Sequence, residues 1–178
     1  MKIEDGLMLQ QKDADAMLEY LNKLPVQGRL LEIGTGYGHS AKFFSKAKPH
    51  WYIYTVDSFG LHGDGRIYKR FSHEEIIAVE NYINDEAIKT NVIQILAHSN
   101  NVAWELQVDV LYLDGGHTYE CVKADFDNFA IHVKANGYIF LHDFHREDFG
   151  VKQLVHELTN SGKWELLFSW KVAIIKRK

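Results

Sequence analysis

Two short stretches bring together groups that can hold charge and move protons: D-G-G-H, from Asp114 to His117, and H-D, His142 with Asp143. Each follows an apolar run, D-V-L-Y-L before Asp114 and G-Y-I-F-L before His142. If both runs are buried strands of one sheet, their two aspartates end adjacent strands and face one small volume. Carboxylates so placed repel each other unless a cation or a shared proton lies between them. A Mg²⁺ held by Asp114 and Asp143 relieves that repulsion, and His142 is a further candidate ligand. Cys121 is the single cysteine, so no thiolate cluster for a softer metal is available.

A second constellation lies upstream, in L-E-I-G-T-G-Y-G-H-S, from Leu31 to Ser40. Glycines at 34, 36 and 38 cost backbone entropy unless a tight turn or a close ligand requires a bare main chain. Asp57 closes the next apolar run, about 20 residues on, where a carboxylate can accept hydrogen bonds from both hydroxyls of a ribose. That position points to a nucleoside ligand. The spacing is G-x-G-x-G rather than the G-x-G-x-x-G of dinucleotide sites, and Glu32 precedes it. A carboxylate there repels a pyrophosphate but suits a sulfonium or an ammonium. A plain strand-to-helix turn with no ligand is the alternative reading of the glycines taken alone.

The elements that must position these groups alternate along the chain. Apolar runs at Arg29–Ile33, Trp51–Asp57, Asn91–Leu96, Asp109–Asp114 and Gly137–Asp143 read as strands apolar on both faces, as in a mostly parallel sheet. Helical spacing predicts helices at Gln11–Leu24, Ser40–Lys46, Ser72–Ala87, Tyr119–Val133 and Val151–Ser161. Ser72 and Glu75 form a capping box for the third of these. The end, K-W-E-L-L-F-S-W-K-V-A-I-I-K-R-K, reads as two strands closing one part of the sheet as a hairpin. The expected class is α/β, a Rossmann-like, doubly wound, mostly parallel seven-stranded sheet with a C-terminal antiparallel hairpin and helices on both faces. Ligands of such sheets sit beyond the carboxyl ends of the strands, where the strand order reverses.

Length and composition fit one domain spanning residues 1–178, with 46% apolar residues and only two prolines. A net charge of −4 argues against nucleic acid as a partner, and no apolar stretch reaches the roughly 20 residues a membrane span needs. The lone cysteine and the absence of a secretory pattern favour a reducing, cytoplasmic setting. The glycine-rich, charged stretch Ser58–Ser72 reads as a lid over the ligand, from which Arg66, Lys69 and Arg70 can reach an anionic substrate.

E-I-G-T-G-Y-G, then V-D and Y-L-D at later strand ends, resembles the class I S-adenosylmethionine-dependent methyltransferases. More narrowly, D-G-G-H-T-Y-E-C-V-K-A-D followed by G-Y-I-F-L-H-D is similar to small bacterial methyltransferases related to catechol and sugar O-methyltransferases. The resemblance implies S-adenosylmethionine as cofactor, with Gly34, Gly36 and Gly38 along its methionine part and Ser40 at its carboxylate. It places Asp57 at the ribose, Ser99 at the adenine edge, and Ser58 and Phe59 close by. Glu32 and Asp114 complete the expected cofactor wall.

An alcohol or phenol attacks a sulfonium methyl well only while its proton is being removed. His117 is the expected base, and histidine titrates in the right range. The resembling catechol enzymes carry a lysine at that position, and an asparagine metal ligand where this chain has Phe144. His62, His73 and His145 are secondary candidates only, and Asp125 and Asp127 read as solvated helix residues. The expected partner is a small hydroxylated methyl acceptor, with a second subunit left open. A nicotinamide-dependent oxidoreductase and a non-catalytic nucleoside-binding protein are the alternatives. The glycine spacing speaks against the first, and His117 with the paired aspartates against the second.

Overall fold

A computed structural model describes residues 10–60, 71–83 and 91–178. Strands β1 (Arg29–Ile33), β2 (Tyr52–Asp57), β3 (Val92–Leu96), β4 (Val108–Leu113), β5 (Val133–Leu141), β6 (Trp164–Ser169) and β7 (Ala173–Arg177) form one sheet. Its order is β3-β2-β1-β4-β5-β7-β6. The first five strands are parallel, while β7 is antiparallel to both β5 and β6, which is the expected C-terminal hairpin.

Helices α1 (Gln11–Asn22), α2 (His39–Ala47), α3 (His73–Ile83), α4 (Tyr119–Phe129) and α5 (Val151–Asn160) cover the faces. Strand alternation sorts the core into two layers. Leu31, Ile33, Leu111, Leu113, Ile139 and Leu141 meet Val122, Phe126 and Phe129 of α4 and Leu154 and Val155 of α5. Leu30, Val110, Tyr112 and Phe140 meet Met17 and Leu21 of α1 and Phe43 and Phe44 of α2. Burying a side chain of that size contributes about 1.5–3 kcal/mol. The two layers therefore fix which strand residues reach the far edge of the sheet on which face.

The capping box closes as expected, with Ser72 N–H donating to Glu75 Oε2 at 2.8 Å and Glu75 N–H to Ser72 Oγ at 3.2 Å. Most described boundaries fall within two residues of expectation, and two differ by more. Helix α4 stops at Phe129 and a 3₁₀ turn, Ala130–His132, leads directly into β5 at Val133. Strand β5 thus begins before Gly137, because Val133 pairs with Val108 ahead of a register shift between Val108 and Val110. Among the described residues no helix is long and apolar enough to cross a membrane.

Candidate active site

Strand order reverses at β1, with β2 and β3 on one side and β4 and β5 on the other. A cavity of about 450 Å³ opens there, and Gly34, Gly36, Ser40, Asp57, Ser58, Ser99 and Asp114 line it together with His117, His142 and Asp143. This volume suits a small organic ligand. Two of the expected cofactor residues lie outside the wall. Gly38 is the N-cap of α2 at φ 79°, and a Cβ there would meet Ile83 Cγ1 at 2.8 Å, so its bare backbone serves helix packing. Glu32 is fully buried beneath the wall. Of the stretch expected as a lid, Ser58, Phe59, Gly60 and Phe71 line the cavity, while Arg66, Lys69 and Arg70 fall outside the described residues.

The glycine turn works by contact at one end and by openness at the other. A Cβ on Gly34, at φ 100°, would lie 2.2 Å from Asp114 O, so only glycine lets the ends of β1 and β4 touch. A Cβ on Gly36 would meet nothing within 4 Å, and the Gly36 N–H donates to Asp57 Oδ2 at 2.9 Å. Asp57 Oδ1 accepts from Phe59 N–H at 2.7 Å. Phe59 reaches that position at φ 48°, a conformation bulky residues rarely adopt. Two amides thus pin the Asp57 carboxylate, and each oxygen keeps a second lone pair for a hydroxyl.

Beneath this turn, Thr55 Oγ1 donates to Glu32 Oε2 at 2.6 Å and lies 2.6 Å from Thr35 Oγ1. Burial pushes the Glu32 carboxyl up to about 8, and the neighbouring Ser40 and Thr55 hydroxyls, which favour the anion, offset only part of this. The folded protein therefore holds a proton that the unfolded chain, near 4.5, releases. That stabilisation is complete below pH 4.5 and is lost as pH rises through about 8. Glu32→Gln keeps the neutral form at every pH, so its melting temperature should gain on the native protein between about pH 5 and pH 8 and level off above that. Parallel pH dependences of the melting temperature between about pH 5 and pH 8 would contradict a buried, proton-holding Glu32.

On the other side of the turn the two strand-end aspartates converge with two histidines. His142 Nδ1 lies 3.0 Å from Asp114 Oδ1 and 3.5 Å from Asp143 Oδ2, and His117 Nδ1 lies 3.6 Å from Asp143 Oδ2. Tyr112 Oη donates to Asp114 Oδ2 at 3.2 Å. Asp143 sits at φ 58°, a left-handed conformation that aspartate tolerates better than most residues. Burial works to lower the His142 pKa, but the facing Asp114 and Asp143 carboxylates outweigh it and raise the imidazole to about 10. His142 in turn holds the half-buried Asp143 below the usual carboxylate range, against the desolvation that would raise it.

Asp114, His117 and Asp143 each offer a ligand atom within 4.8 Å of the others. Nε2 of the 4%-exposed His142 has no hydrogen-bond partner among the described residues, while Nδ1 is paired with the Asp114 carboxylate. Two carboxylates and the His117 imidazole, brought together in this way, fit a divalent cation of the Mg²⁺ or Mn²⁺ kind. Phe144 packs against the core and offers no ligand.

Asp125 belongs to this site and not to solvent. It is 5% exposed, lines the cavity, and is raised to about 6 by burial, with Ser99 and His98 favouring its anion. Asp127 is exposed and paired with Lys123, as expected. Helical spacing held the signal for Asp125: Val122, Asp125, Phe126 and Phe129 form one buried stripe of α4.

A doubly wound sheet of this order, with a glycine-rich first turn and an acidic end to β2, defines the class I S-adenosylmethionine-dependent methyltransferases. A family model described as a methyltransferase domain matches residues 31–144, and the chain belongs to that family. Among solved structures, the S-adenosylhomocysteine-bound methyltransferase PaMTH1 of Podospora anserina is similar at TM-score 0.68 and 18% identity, over 96% of this chain and 80% of that one. The O-methyltransferase NovP is similar at 0.69 and 17%, over 94% and 78%. CalS11, a TDP-rhamnose 3'-O-methyltransferase of calicheamicin biosynthesis, is similar at 0.65 and 13%, over 98% and 81%. At these identities the likeness is one of fold.

Proposed function

We propose that this chain transfers a methyl group from S-adenosylmethionine to the oxygen of a small hydroxylated acceptor. In this reading Asp114 and Asp143 hold a divalent cation, His142 joins them by giving up its proton, and His117 takes the acceptor's proton. The observation that carries it is the convergence of His117 and the two aspartates in the same cavity as the glycine turn and the pinned Asp57. S-adenosylmethionine supplies an electrophilic methyl on a sulfonium and leaves as the neutral thioether. The backbone of Gly34 and Gly36 and the Ser40 hydroxyl face its methionine part, Asp57 accepts from its ribose, and Ser58, Ser99 and Asp125 bound the base. The buried Glu32 adds negative charge below the sulfonium when it ionises. A cation on the aspartates would lower the pKa of a coordinated hydroxyl. His117 lines the cavity with its Nδ1 3.6 Å from Asp143 Oδ2.

Calorimetry with S-adenosylhomocysteine and with NAD tests the cofactor, and methyl transfer to catechol and to TDP-rhamnose tests the acceptor class. Heat from NAD and none from millimolar S-adenosylhomocysteine would overturn the reading in favour of an oxidoreductase. Asp57→Ala removes an acceptor for ribose hydroxyls, and hydrogen bonds to charged groups contribute about 1.5–3 kcal/mol each. The dissociation constant for S-adenosylhomocysteine should therefore rise by about tenfold or more. An unchanged constant moves the ribose elsewhere.

A further inference from the structure

His117 rides on the turn after β4, but its ring is held by a segment from beyond β5. The imidazole stacks on Phe149 with ring centroids 4.5 Å apart and planes 4° apart. Two backbone features bring the segment this close. Gly150 N–H donates to His117 O at 2.9 Å, and a Cβ on Gly150 would lie 2.2 Å from Tyr119 Cα at the start of α4. The far side of the segment is braced as well: the Arg146 guanidinium sits 4.4 Å from the Phe149 ring centroid and is forked onto Asp148 by bonds of 2.8 and 2.7 Å.

We propose that Phe149 is the positioning residue for His117. Its ring face fixes the plane of the imidazole, and Asp143 Oδ2, 3.6 Å from Nδ1, selects which edge points to the carboxylate. Stacking narrows the rotamers open to an imidazole, and a base that samples several spends part of its time out of reach of its proton. The proposal rests on His117 being the base. It differs from the role of a core aromatic because the Phe149 face is spent on a polar ring at the cavity and not on the hydrophobic layers.

Carbon-edited NMR of the full chain with S-adenosylhomocysteine reads the stack directly, the His117 ring signals being assigned by their loss in His117→Gln. In the native protein these signals lie upfield of the other histidine ring signals, since they sit over an aromatic face. Phe149→Tyr keeps the upfield shift, and Phe149→Leu, which preserves bulk without a ring, returns the signals to the ordinary range. Unshifted native signals, or signals unchanged in Phe149→Leu, overturn the proposal. In methyl transfer to whichever of the two acceptors above is turned over, Phe149→Leu lowers kcat and leaves KM for S-adenosylmethionine in place; an unchanged kcat overturns the positioning role. Failure of the underlying reading shows separately, as full methyl transfer by His117→Gln with the ring shifts still behaving as stated.

Discussion

His117→Gln lowers the turnover of methyl transfer by about 10²–10⁴-fold while S-adenosylhomocysteine binds as before. The size follows from what is removed: a positioned base contributes that much to a step in which the nucleophile must lose its proton. The selectivity follows from location. The glycine turn and Asp57 stand at the ends of β1 and β2, whereas His117 stands beyond β4 against Asp143 and Phe149. Glutamine is close to histidine in size and polar, so the turn should keep its shape, and the Gly150 bond to the His117 carbonyl does not depend on the side chain. Steady-state rates and calorimetry on the same variant separate the outcomes. A parallel loss of cofactor affinity would make His117 part of the cofactor wall. Unchanged turnover would move the base to another residue.

Much of this arrangement is legible in the chain because it is local or periodic. Parallel strands buried on both faces read as short continuous apolar runs, which is how β1, β2 and β4 announce themselves. Ser72 with Glu75 is a four-residue device and closes as its spacing implies. The start of β5 is hidden because Lys134, Ala135, Asn136 and Gly137 follow Val133, and only pairing with Val108 across the sheet makes that residue a strand. Two further features depend on contacts distant in sequence. The link from Thr35 through Thr55 to Glu32 needs the β1 to β2 register, which sets Glu32 beside Thr55. The stack of His117 on Phe149 needs Gly150 to meet Tyr119, a fact of helix packing that no spacing encodes. Asp125 is a different case, since its place in the buried stripe of α4 could be counted, and reading its charge as a mark of solvent exposure set the count aside.

Chelation with EDTA abolishes methyl transfer and leaves S-adenosylhomocysteine binding nearly intact. The reason lies in the charge arrangement at the ends of β4 and β5. Asp114 and Asp143 face one volume, and the His142 imidazole is set between them, 3.0 Å from one and 3.5 Å from the other. That ring is 4% exposed, and its Nε2 has no hydrogen-bond partner among the described residues. A divalent cation set between the aspartates offsets both carboxylates and displaces the His142 proton, freeing a ring nitrogen as a ligand. Titrating the chelated protein with Mn²⁺ or Mg²⁺ should restore activity. Asp143→Asn should lose metal binding without losing the fold, because asparagine accepts the left-handed backbone that residue 143 adopts. Asp114→Asn should do the same while keeping an oxygen for the Tyr112 hydroxyl. Activity indifferent to chelator, with no metal bound by the native protein, would leave His142 as the permanent charge between the aspartates. The hydroxyl would then be activated by His117 alone, and the loss in His117→Gln would account for the whole of the proton transfer.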